Sequence, residues 1–146
     1  DEKYYNVHLK IPSYTIPAAY VNPHYQSDEI WWLARIVHAE SRGESDAGKL
    51  AVANVILNRV KSSQFPNTIY DVIFDRKYGI QYTPTVDGSI YNTPGAASII
   101  AAKRALHGEN NVGNSLYFYN PRIAGTNWIG RNRKYYTTIG NHAFYL

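Results

Sequence analysis

The chain has no cysteine and no methionine among its 146 residues. Without cysteine there is no disulfide, no thiolate metal site and no Cys nucleophile, and the fold does not depend on redox state. No apolar run approaches the ~18 residues that a membrane-spanning helix needs. No internal repeat or low-complexity segment is visible. The histidines His8, His24, His38, His107 and His142 fall at no metal-ligand spacing. There is no H-E-x-x-H, and His38-Ala39-Glu40 lacks the cysteine half of a zinc-deaminase signature. The G-x-S-x-G elbow, the P-loop and the dinucleotide fingerprint are missing too. These absences count against hydrolases with a Ser or Cys nucleophile, nucleotide enzymes and zinc enzymes. Carboxylate chemistry remains, and it requires no cofactor and no metal. The start at Asp1, without an initiator Met, fits an exported chain whose signal peptide has been removed.

What is present describes one folded domain. The 45% apolar and 18% charged composition is globular, and the length suffices for a core. Fifteen basic against 11 acidic residues give a net charge of +4, which suits nucleic acid, teichoic acid or peptidoglycan. The basic residues are dispersed apart from Arg131-Asn132-Arg133-Lys134, so no nucleic-acid motif emerges and nucleic acid is not expected as a partner. Fourteen tyrosines are an excess that suits a sugar-lining groove, though tyrosine also fills strands well.

Residues 1–26, with Pro12, Pro17 and Pro23 among tyrosines, read as an extended arm or linker. Residues 27–146 form the domain. Ser27 is a good N-cap, and Ile30, Leu33, Ala34 and Val37 make the core stripe of a first helix. One of Trp31 and Trp32 is expected to pack under the arm. A second helix runs from about Asp46 to Lys61, apolar over so much of its circumference that it should be the buried central one. Asn54 and Asn58 on it are either partnered core residues or cleft residues. Thr68 caps a short helix through Phe74. Asp75 to Asn92 reads as a long loop with a short strand. Thr93-Pro94 starts a helix that runs to about His107, with Gly108 as its stop. Leu116 to Tyr119 is strand-like, and Gly140-Asn141 is a hairpin turn between two further strands. Helices first and a small sheet last make an α+β domain.

Glu40 sits where the first helix ends, beside a helix–helix corner at Gly43, where a carboxylate can be half buried and still face a cleft. A glycosidic general acid needs that setting. An ordinary solvated helix glutamate is the plain alternative. Glu44 either supports the corner, by capping the second helix or pairing with a cation, or faces the cleft. Ser41 either positions the substrate or Glu40, or caps the helix end. Tyr117 and Tyr119 share one strand face, as a cleft wall or as core packing. Trp128 is a sugar platform or a buried tryptophan. Asp71, Asp75 and Asp87 could hold a metal only if folding gathered them.

Ala39-Glu40-Ser41-Arg42-Gly43-Glu44, followed by Ala51 to Val60, resembles the germination-specific cell wall hydrolases of the SleB/CwlJ type. The likeness continues through Phe65-Pro66-Asn67-Thr68, Val72-Ile73-Phe74, Asp87-Gly88, Tyr91, Thr93-Pro94, Tyr119-Asn120-Pro121, Trp128-Ile129 and Ile139-Gly140-Asn141-His142. Tyr82 and Thr83 stand where the family has a Phe-centred segment. The resemblance implies a lysozyme-like, lytic transglycosylase-like helical domain with a small antiparallel sheet near the C-terminus. It implies cleavage of the β-1,4 bond between N-acetylmuramic acid and N-acetylglucosamine in peptidoglycan, notably spore cortex, with Glu40 as general acid/base. Ser41, Glu44, Tyr82, Tyr117, Tyr119, Asn120 and Trp128 are then the expected substrate contacts. A hydrolytic muramidase or glucosaminidase using the same glutamate, and a non-catalytic wall-binding or spore-coat protein, are the rival readings. The resemblance further implies action in the cell wall or spore cortex by a monomer, and allows a regulatory spore protein as partner.

Overall fold

Helix α1 (Ser27–Ser41) and helix α2 (Asp46–Lys61) meet at a corner of four residues, and everything else packs around that pair. The computed structural model describes residues 27–125 and 127–146. The arm and any packing of Trp31 or Trp32 beneath it lie outside the described residues.

The α1 stripe closes as its periodicity dictates. Ile30, Leu33, Ala34, Ile36 and Val37 are all buried. On α2, residues Gly48 through Leu57 are buried without a break, so this helix is the central one. It begins at Asp46 because the Ser45 hydroxyl accepts from the Gly48 amide at 3.2 Å. Each fully buried Ile or Leu contributes about 1.5–3 kcal/mol, and truncating one such as Ile56 to Ala would cost about 2–5 kcal/mol. Asn54 and Asn58 have structural partners. Asn54 Nδ2 donates to the carbonyls of Leu50 and Glu109, and Asn58 Nδ2 to those of Gly113 and Ser115. They pin the approach to the sheet onto the central helix.

Thr68 caps α3 (Ile69–Ile73), accepting from the Asp71 amide at 3.0 Å. A second cap comes from far along the chain: Glu29 Oε2 accepts from the Ile69 amide at 2.8 Å. The segment 75–92 contains no described strand. It makes the short helix α4 (Pro84–Asp87) and a 3-10 turn at Ser89–Tyr91 instead. Pro84 presets the first helical turn and Gly88, at φ 86°, stops it, a signal outweighed by the scattered tyrosines around it. Helix α5 (Ala96–Leu106) starts later than Thr93-Pro94 suggests. Its N-cap is Gly95, whose amide is held by His38 Nδ1 at 3.1 Å, so a neighbouring helix sets the boundary.

The sheet has the order β1 (Tyr117–Tyr119), β3 (His142–Tyr145), β2 (Tyr135–Ile139), all antiparallel. Between β1 and β2 lie α6 (Pro121–Ala124) and α7 (Trp128–Asn132). Gly140-Asn141 is the hairpin turn, with Gly140 at φ 59°. Phe144 is fully buried and joins Ala51 and Val55 of α2, which fixes the sheet to the central helix.

Candidate active site

Glu40 occupies the last turn of α1, and the corner behind it is held by side chains. The buried Ser41 hydroxyl donates to the Val37 carbonyl, and the Glu44 amide donates to the Ser41 carbonyl at 2.9 Å. Lys49, almost fully buried on α2, donates to the carbonyls of Arg42 and Glu44. Gly43 has an ordinary φ and open space around it, so the break does not depend on glycine there.

Glu44 fixes the same corner to the sheet. Its Oε1 accepts from the Asn141 amide at 3.0 Å and its Oε2 from Asn141 Nδ2 at 2.9 Å. The fit is close on both sides. A Cβ on Gly140 would lie 2.5 Å from Glu44 Oε1, and one on Gly48 2.9 Å from Glu44 Cβ. Of the roles open to Glu44, the structure displays support of the corner, through a hairpin amide and side chain rather than through a helix cap or a cation. Ser41, 2% exposed with its hydroxyl engaged inside α1, likewise displays its helix-end role.

The two glutamates differ sharply in acidity. Burial, reinforced by the negative charge of Asp87, raises the Glu40 carboxyl from 4.5 to about 7. For Glu44, burial would also raise the pKa. The two hydrogen bonds from Asn141, with the charges of His142 and Lys49, outweigh burial and hold it below the usual value. Asp87 is kept ionised by its hydrogen bonds from Ser89, whose amide lies 2.8 Å from Oδ1. The site therefore pairs an acid poised near neutrality with a carboxylate that stays charged. His38, on the same helix, has its pKa lowered by burial and by Arg42 and Lys49, which suits a neutral ring accepting from Gly95.

The sheet side of the domain is aromatic. On β1, Phe118 turns inward, stacking with Phe144 at 5.9 Å and Tyr82 at 6.4 Å, while Tyr117 and Tyr119 take the other face. The Tyr117 ring lies 6.2 Å from Trp128, which is 52% exposed. Tyr119 stacks on Tyr145 at 5.7 Å, and its hydroxyl is packed so closely over Gly130 that a Cβ there would lie 2.7 Å away. Tyr82 is 5% exposed. Its hydroxyl is buried with no hydrogen-bond partner among the described residues, and its acidity responds to burial, then to Arg59 and Glu40. Asn120 caps α6, accepting from the Arg122 amide at 3.0 Å.

The structure thus brings Glu40 and Tyr82 into one electrostatic neighbourhood and Tyr117 and Trp128 into one ring pair. Arg59, which sequence reasoning missed, joins them. Its guanidinium lies 5.5 Å from the Tyr82 ring and 5.2 Å from the Tyr117 ring. Its Nε donates to the Leu116 carbonyl at 2.8 Å and its Nη1 to Gln81 Oε1 at 3.0 Å. An arginine inside the apolar run of a buried helix was the available signal. Asp87 was weighed as a metal ligand and not as a neighbour of Glu40. Among the described residues no group of three His, Asp or Glu side chains is gathered as a cation would require.

The profile of the cell wall hydrolase family matches residues 43–145, beginning just after Glu40. A spore cortex-lytic enzyme of Bacillus cereus is 42% identical over 120 residues, covering 82% of this chain and 45% of that protein. The chain therefore spans about half the length of such curated relatives. The catalytic domain of the germination-specific lytic transglycosylase SleB from Bacillus anthracis superposes with a TM-score of 0.77 at 41% identity, covering 86% of this chain and all of that one. The catalytic domain of Bacillus cereus SleB gives 0.73 at 36% identity, covering 91% of this chain and 100% of its own. The α+β architecture expected from the sequence is thus the lysozyme-like one of these domains. With two thirds of its length matched by one profile and its fold shared with these catalytic domains, the chain belongs to the cell wall hydrolase family.

Proposed function

We propose that the chain is the catalytic domain of a lytic transglycosylase that cuts the β-1,4 bond between N-acetylmuramic acid and N-acetylglucosamine in peptidoglycan, with spore cortex as the natural substrate. One observation carries the reading: a glutamate whose carboxyl is raised to about 7 by burial, at the end of α1, in a chain so similar to a lytic transglycosylase catalytic domain.

At neutral pH a large fraction of Glu40 is protonated and can donate to the bridging oxygen as the glycosidic bond breaks. The positive charge developing at C1 is met by the sugar's own N-acetyl group, as in substrate-assisted glycosidases. The Glu40 carboxylate then takes the proton of the C6 hydroxyl as that oxygen closes on C1. The product is a 1,6-anhydro end, no water is consumed, and Glu40 ends protonated as it began. Tyr117, Tyr119 and Trp128 hold the glycan by ring contact, Tyr82 underlies Glu40, and Asn120, Ser41 and Glu44 keep wall and corner in place.

Asp87 favours a second reading. A charged carboxylate beside Glu40 could orient a water, giving hydrolysis with the same acid. Product mass decides between them, since an anhydro end is one water lighter than a reducing end. Glu40→Gln should cut muropeptide release from cortex or sacculi at least about a hundredfold while the fold persists, and undiminished release would overturn the assignment of Glu40. The reading places the protein outside the cytoplasm, as a monomer on cortex glycan. No described helix is long and apolar enough to cross a membrane.

A further inference from the structure

Residues 110–146 contain Arg122, Arg131, Arg133 and Lys134 and neither Asp nor Glu, so the chain's formal net charge of +4 lies entirely in that stretch. The same stretch builds the aromatic wall. Cation and ring meet most closely at Arg133, whose guanidinium carbon lies 4.7 Å from the Tyr117 ring centre and 5.3 Å from that of Trp128.

Tyr117 has two arginine neighbours, and they are not equivalent. Arg59 is 5% exposed, with donors spent on Leu116 and Gln81. Arg133 sits at the C-cap of α7, its amide bonded to the Ile129 carbonyl at 2.9 Å. Its Nε is buried with no hydrogen-bond partner among the described residues. A guanidinium laid on two rings has lost rotamer freedom before any ligand arrives, so an incoming group meets a fixed fork. The geometry of that fork fits a carboxylate, which accepts two parallel N–H bonds. Arg133 is also linked to the acid through two rings and Arg59: Tyr82 feels the Glu40 charge, Arg59 touches Tyr82 and Tyr117, and Tyr117 touches Arg133.

Resting on the reading above, we propose that Arg133 on the Tyr117–Trp128 pair is a subsite for a carboxylate of the glycan itself, carried by the stem peptide of an N-acetylmuramic acid near the cut or, where no peptide is attached, by its lactyl ether. The rings take the sugar face and the fork takes the acid that projects from it. A muramic unit that lacks a free carboxylate leaves this fork empty.

The test is binding without turnover. The Glu40→Gln protein is titrated calorimetrically with three soluble glycans: one bearing stem peptides, one stripped to bare lactyl groups, and one with all carboxylates amidated. We expect amidation to weaken binding about tenfold, the size of one charge-assisted hydrogen bond. Adding Arg133→Gln should weaken the peptide-bearing glycan by the same factor and remove the effect of amidation, and Arg133→Lys should restore part of it. The stripped glycan, whose lactyl acids are freed by removal of the peptide, defines the reach of the fork: the affinity of the amidated glycan means that it reads the stem-peptide acid alone, and full affinity means that it also takes a lactyl acid that bears no peptide. An amidation factor that survives Arg133→Gln overturns the proposal, as does indifference to amidation when Arg133 is present. Failure of the cleavage reading looks different, because the protein with Glu40 intact would leave every glycan uncut while the amidation factor stands.

Discussion

In the helical half of the domain, Leu33, Ile36, Ile56 and Ile73 are sealed from solvent, whereas on the sheet side Trp128, Tyr135 and Tyr136 leave about half of their surface open. The helical side presents Glu40 at the end of α1, with the charge of Asp87 acting on it. The sheet side presents rings and cations. The contrast separates two tasks that a glycan-cleaving site has to combine. A dry, rigid wall moves the pKa of a carboxyl, because desolvation acts only where water is kept out. A wet, ring-lined wall holds a long polar polymer that must slide in and leave.

Three substitutions probe this division, in descending order of effect. Glu40→Gln removes the output of the helical side and should reduce turnover about 10²- to 10⁴-fold, the range of general acid–base catalysis, as followed by muropeptide release. In the native protein the limb of kcat/KM that falls with rising pH should be centred near 7, where Glu40 loses its proton; a limb near 4.5 would contradict the burial account.

The same substitution should change stability with the opposite sign. Because folding raises the Glu40 pKa from 4.5 to about 7, the folded state binds more protons than the unfolded chain between those values. Stability from this group is present below 4.5 and lost as pH rises through 7. Glu40→Gln should therefore be more stable than the native protein at pH 8, by at most about 3 kcal/mol at 1.36 kcal/mol per unit, and equal to it near pH 4. Urea midpoints at the two pH values check this.

Trp128→Ala acts on the sheet side alone. Losing one exposed ring contact should raise KM by up to about tenfold with kcat nearly unchanged, and a fall in kcat would mean that the wall also serves the chemistry. Glu44→Gln tests the tie between the two sides and should cost about 1 kcal/mol near pH 7. Because the Glu44 pKa is lowered by folding, that stabilisation is present above the unfolded value and disappears as pH falls through the folded one. Thermal melts at pH 7 and pH 3 should differ accordingly.

The helices, Thr68 as a cap and the Gly140-Asn141 turn were readable because each signal lies within a few residues of its effect. The features that escaped join distant parts of the chain. Glu29 caps α3, His38 sets the start of α5, and Glu44 meets Asn141, and no local pattern announces any of these pairings. Glu40 was readable for a mixed reason. Its place at a helix end followed from periodicity, its chemistry from elimination and family likeness, while its burial and the nearness of Asp87 needed the assembled fold.

The strand order carries a consequence in time. His142–Tyr145 lies between the other two strands, so neither Tyr117–Tyr119 nor Tyr135–Ile139 has a lateral partner until that segment has been synthesised. A ribosome delivers the helical half first and the central strand after both of its neighbours. The cleft is therefore completed in a single late event, and a nascent chain stopped short of residue 142 carries Glu40 without the paired sheet that faces it.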